Sequence, residues 1–178
     1  MPIVQYLQVA CRLLLASVFV VAVFSKISEK TAWLAFVQSL RQLRQVPDAV
    51  VRAAALATVA IEMLVAVLLL VPVPAAGAFG FALAACLLLA FTIAIGLALL
   101  RGNRVPCRCF GASSTPLGLP HVTRNLVLIC VATLGLIGAS AAGTLDVAYA
   151  ALAGASGLIV GILVTALEDV VALFKPAG

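Results

Sequence analysis

Two thiols, Cys107 and Cys109, flank Arg108 and run into Phe110-Gly111 in the only sizeable polar loop of an otherwise apolar chain. A Cys-x-Cys pair has two chemical uses. It can hold a soft metal, or it can form a disulfide and pass it on. Neither use is needed to fold a membrane bundle. A disulfide between such close neighbours closes a small ring of tight geometry. Strain of that kind makes the bond easier to reduce, so the pair suits exchange better than bracing. The surroundings favour the same chemistry. Arg101, Arg104, Arg108, His121 and Arg124 lie in the segment 101–124, which contains no acidic residue. Nearby positive charge favours the thiolate, which is the attacking species. Cys107 and Cys109 are therefore the candidate catalytic residues, with Arg108, His121, Arg124 and Asn125 in support.

Each supporting residue also has a plainer use. His121 can be an interfacial polar anchor. Arg124-Asn125 can bind lipid phosphate or cap loop carbonyls. A metal site is the alternative chemistry: Cys107, Cys109 and His121, with Cys130 further on, are soft ligands for copper(I), zinc or mercury. The arginines repel a cation, which ranks metal binding or transport behind redox exchange. A third possibility is a membrane subunit that docks a partner without chemistry. The chain has no Ser-His-Asp set, no phosphate-binding glycine loop and no His-Glu-x-x-His, so hydrolytic and nucleotide-driven functions have no support.

These residues must be positioned by membrane helices. Of the 178 residues, 65% are hydrophobic and 10% charged, against roughly 45–50% and about 25% in soluble domains. Five stretches approach the roughly 20 apolar residues that a span needs: about 3–24, 51–71, 75–100, 126–142 and 147–167. The fourth is short and can begin earlier, near His121. The expected fold is an all-α membrane protein, a bundle of about five transmembrane helices (a four-helix core plus one) forming a single integral domain over residues 1–178. The N-terminus has no basic residue ahead of Arg12 and no clear small-residue cleavage site, so it reads as a retained first helix. Cys11, Cys86 and Cys130 fall inside apolar runs and read as small buried hydrophobes.

Between the first two spans, Trp33, Phe36, Val37, Leu40 and Leu43 recur at helical spacing, and Pro47 ends the run. This predicts a short amphipathic helix over about 31–45, either interfacial with Trp33 as its anchor or packed on the bundle as a lid. In the last span, Ala153, Gly157 and Gly161 form a small-residue stripe that suits close helix packing within a bundle or across a homodimer.

The net charge of +5 is a topology signal and an attraction to anionic lipid, not a nucleic-acid footprint. With five spans, the two long connections and Lys175 share one side. Ten of the eleven basic residues lie there or at its membrane edge. The positive-inside rule makes that side cytoplasmic, with the N-terminus outside and the thiol loop inside. Two ionisable residues remain within spans. Counting at 1.5 Å per residue, Glu62 lies about 15 Å deep from Arg52 and Arg12 about 21 Å deep from Lys26. The difference is within an arginine's reach, so an Arg12–Glu62 pair is expected between the first two spans. It either fixes packing or serves proton movement or quinone binding.

Arg12 with Phe19 and Lys26, Phe36 and Pro47, Glu62, Leu100-Arg101-Gly102, Cys107-x-Cys109-Phe110-Gly111 and Arg124-Asn125 occur in that order. In this the chain resembles the methylamine-utilisation protein MauE family, within the wider DoxX-like membrane proteins. The resemblance runs from about residue 10 to 170, and Cys-x-Cys-Phe-Gly is its most specific part. It implies a small inner-membrane helical protein tied to thiol–disulfide chemistry, an oxidoreductase or its electron-relay subunit. It further implies a thioredoxin-fold partner and a disulfide-rich client, the methylamine dehydrogenase small subunit. By the same resemblance Cys107 and Cys109 are the redox pair, and Arg12, Glu62, Arg124 and Asn125 are family-pattern polar positions. Arg108 stands where that motif often has glycine, which alters the loop's shape and charge. Maturation of disulfides takes place outside the cytoplasm, whereas the charge count puts the thiol loop inside. A relay through Cys86, Cys11 or a quinone, or an inverted topology, reconciles the two.

Overall fold

The computed structural model describes residues 2–43, 47–101, 119–139 and 146–173. Six α-helices account for nearly all of them: α1 (Pro2–Ile27), α2 (Lys30–Leu43), α3 (Val51–Leu70), α4 (Pro74–Leu100), α5 (Leu119–Gly138) and α6 (Val147–Leu173), with a single 3-10 turn, Asp48–Val50, leading into α3. All but α2 are long and apolar enough to cross a membrane. The chain is a multi-pass membrane protein, and a lipid bilayer is its environment.

Four of the spans form a closed ring. α1 packs on α3, α3 on α4, α4 on α5, and α5 back on α1, while α6 lies outside against α1. The core is filled by Leu15, Val18 and Phe19 of α1, Val65 and Leu69 of α3, Phe81, Ala84 and Leu88 of α4, and Leu128 and Ala132 of α5. The outward faces carry Phe24, Leu56, Phe79, Ile93 and Ile137, all largely exposed. An apolar exterior over an apolar core is the signature of a bundle solvated by lipid. The predicted four-helix core plus one is thus the arrangement found.

Small residues decide how α6 sits. Gly154 meets Leu13, Gly157 meets the Ala10 backbone carbonyl, and Gly161 meets Ser17 and the Leu14 carbonyl, each so closely that a Cβ would collide. From Gly157 to Gly161 the contacts advance from Ala10 to Leu14 and Ser17, so α6 runs parallel to α1. The stripe expected for bundle or dimer packing is used by α1 of the same chain. Its members are Gly154, Gly157 and Gly161, with Ala153 only half buried.

α5 takes the earlier of the two expected starts: it begins at Leu119, close to His121 and seven residues before 126, because Pro120 fits a first helical turn where an N–H is not needed. The segment after α1 is a lid as much as an interfacial helix. α2 buries Phe36, Val37, Ser39 and Leu43. Phe36 and Val37 pack on Val51 and Ala55 of α3, and Leu43 packs on Ile95 and Ala98 of α4. Leu34, on the outer face, is 60% exposed. Cys11 is buried as expected, but Cys86 and Cys130 lie on the outer surface, facing lipid rather than protein.

Candidate functional site

Cys107, Arg108 and Cys109 lie outside the described residues. The helix ends that bracket their segment are described: α4 closes at Leu100 with Arg101 as its cap, and α5 opens at Leu119. Directly inside that end of the bundle lies a group of buried polar side chains.

On α5, His121, Asn125, Leu128, Ala132, Gly135 and Gly138 are buried, a spacing that puts them on one inward face. His121 and Asn125 form the polar, loop-proximal end of that face. Asn125 is fully buried, and neither atom of its amide has a hydrogen-bond partner among the described residues. A buried amide left so costs about 1–3 kcal/mol, so Asn125 is poised for a donor or acceptor that these helices do not supply. Arg124 is half buried.

Opposite, Lys26 of α1 reaches Glu62 of α3. Its ammonium lies 2.8 and 2.9 Å from the two carboxylate oxygens and donates also to the Ala22 carbonyl at 3.2 Å. Lys26 is 1% exposed and Glu62 is sealed from solvent. The Phe36 ring of the lid lies 5.3 Å from the Lys26 ammonium, a cation–π contact that strengthens as water is excluded. Arg124 is near enough for its charge to act on Lys26. Two cations and one anion thus gather from α1, α3 and α5, and the described part of this end is net positive.

This corrects the expected Arg12–Glu62 pair. Helical side chains lean toward their own N-terminus. α1 and α3 are antiparallel, so Lys26 leans inward and Glu62 leans back toward it, while Arg12 leans the other way. Depth counted along the axis to each Cα misses that lean. Arg12 instead donates to the carbonyls of Leu69 and Val71 at the C-terminus of α3, with its guanidinium lying on Gly77 of α4. Helix C-terminal carbonyls lack intrahelical partners and carry partial negative charge, so Arg12 caps a helix inside the bundle. Lys26 and Phe36 are the site residues that sequence reasoning missed. A lysine in the last turn of an apolar helix was the available signal.

Two members of the alternative metal set, Cys107 and Cys109, lie outside the described residues, among which no three potential ligands gather. Cys130 is nine residues past His121, about two and a half turns, and so projects from the opposite face of α5: His121 is buried and Cys130 exposed.

No curated protein and no solved structure matches the chain. A family model does: residues 4–138, from α1 through the whole of α5 and including both cysteines, match that of the methylamine utilisation protein MauE. The chain therefore belongs to the MauE family, which links it to methylamine utilisation.

Proposed function

We propose that this protein is a membrane thiol–disulfide redox protein in which Cys107 and Cys109 exchange a disulfide with a thioredoxin-fold partner. The observation that carries the reading is a Cys-x-Cys pair in a segment whose two ends are fixed to a net-positive end of the bundle. Arg101 and Arg124 are the described contributors there, the Lys26–Glu62 pair being neutral as a unit, and Arg108 adds a charge between the thiols. Positive potential stabilises a thiolate without consuming it.

The exchange balances without a further reagent. A thiolate of the reduced pair attacks one sulfur of the partner's disulfide, and the other partner sulfur leaves as a thiolate. The second cysteine then attacks the mixed disulfide. The pair ends as Cys107–Cys109 disulfide and the partner as a dithiol, two electrons having passed to the partner. The reverse sequence oxidises the partner. The client is a disulfide-rich protein matured outside the cytoplasm, such as the methylamine dehydrogenase small subunit; with the basic side and its thiol segment cytoplasmic, a quinone relays the electrons across the membrane. His121 and Asn125, at the inner end of the segment's second anchor, are positioning residues.

The test is the redox state in membranes. Acid quenching followed by alkylation with a maleimide of large mass should resolve a reduced and an oxidised form of the wild-type protein. Cys107→Ser and Cys109→Ser should each leave one form and abolish client maturation while the protein still inserts. Maturation that survives both substitutions would reject thiol exchange and leave a docking subunit.

A further inference from the structure

We propose that the cleft between α2 and α3 is a binding site for one anionic phospholipid. This rests on no part of the thiol chemistry. Two grooves meet at Trp33 and Leu56. The first, about 620 Å³, is walled by Trp33, Leu34, Val37 and Leu56 and edged by Gln38, Gln42, Arg41 and Arg52. The second, about 460 Å³, continues along α3 past Val59 and Ala60 to Met63, with Glu29 and Lys30 at its rim. The first volume falls within the usual range of ligand sites, about 300–1,000 Å³. One end of the composite cleft is polar and basic, and the other is apolar and open to the hydrocarbon. Leu56 and Met63 are 61% and 46% exposed there. That is the profile of a molecule with an anionic head and a hydrocarbon tail.

The charge pattern favours an anionic lipid over a zwitterionic one. Among the described residues, Arg41 and Arg52 are the charged members of the first groove and no carboxylate lines it. Arg41 shares its guanidinium with Asp48 at 3.0 Å, in a pair 56% and 80% exposed. Arg52 has no ion-pair partner among the described residues. It is also the second residue of α3, whose first turn carries no acid. A cation at a helix N-terminus is opposed by the helix dipole, and a bound phosphate there would offset both charges. Guanidinium groups match phosphate oxygens through paired N–H donors. The lipid's phosphodiester accordingly sits between Arg41 and Arg52, and one acyl chain passes Trp33 and Leu56 toward Met63.

Trp33 is the chain's one tryptophan, so its fluorescence reports directly on both grooves. The protein is reconstituted in phosphatidylcholine containing a small fraction of either phosphatidylglycerol or phosphatidylcholine with brominated acyl chains, which quench tryptophan on contact. Wild-type protein should show a preference of about fivefold or more for the brominated anionic lipid. The double variant R41Q/R52Q should lose it, and Asp48→Asn, which releases Arg41, should raise it. All three positions are exposed, and an unchanged emission maximum in pure phosphatidylcholine verifies that each variant folds. Equal quenching by the two lipids in the wild type, or an undiminished preference in R41Q/R52Q, overturns the proposal.

Discussion

Lys26 and Glu62 are held in a nearly dry site, which sets how each responds to substitution. Removing one partner leaves an uncompensated buried charge, a loss of about 3–5 kcal/mol. Replacing both with apolar residues of similar size removes the need for a partner. Lys26→Met and Glu62→Gln should each lower the thermal midpoint in detergent sharply, while Lys26→Met with Glu62→Leu should recover most of it. Equal losses in the single and double variants would show that the pair acts separately. Arg12 has a different task, since it supplies donors to the Leu69 and Val71 carbonyls. A hydrogen bond from a charged group contributes about 1.5–3 kcal/mol, so Arg12→Met should destabilise by about that much. Arg12→Lys should recover only part, because an ammonium lacks the fork that reaches two carbonyls. At this scale the sequence singles out Glu62, Arg12, His121 and Asn125, because polar groups stand out in an apolar run. It does not reveal which partners meet, because partner choice depends on side-chain lean and on helix direction.

Among the elements, the contact of α1 with α6 is set by glycine. A methyl at Gly157 would meet the Ala10 backbone, which cannot turn aside as a side chain can. Gly157→Ala should cost about 1–3 kcal/mol as an overpacked contact. Gly96 of α4 provides the comparison, since among the described residues nothing lies within 4 Å of an added Cβ there. Gly96→Ala should leave thermal stability unchanged or raise it by up to about 1 kcal/mol through helix propensity. Similar losses for the two variants would contradict the close approach. The spans themselves are legible as long apolar runs, and α2 as a short amphipathic pattern. The start of α5 is legible only as an alternative near His121, because Pro120, His121, Arg124 and Asn125 read as loop by composition yet lie within the first two turns, with His121 and Asn125 on the inward face. The stripe on α6 is legible as small residues, but its use by α1 depends on where the ring of four helices closes.

The described molecule is a ring of four spans with α6 outside and α2 across the end at which α4 stops and α5 begins, and most of the described basic residues, Lys26, Lys30, Arg41, Arg52, Arg101 and Arg124, belong to that end. This asymmetry predicts the topology. In a background with all five cysteines replaced by serine, Ala148→Cys at the start of α6 should react with an impermeant maleimide on intact cells. Gln42→Cys on α2 should react only after permeabilisation, and the opposite pattern would invert the bundle. The redox assignment is tested most directly by trapping. With Cys109→Ser, Cys107 can attack a partner's disulfide, but no second thiol is present to resolve the mixed species. Purification under acid-quenched, alkylated conditions should therefore yield a covalent complex with a thioredoxin-fold protein that is released by reductant and absent from Cys107→Ser/Cys109→Ser. Recovery of the same complex from the double variant, or of no covalent partner from Cys109→Ser, would contradict the account.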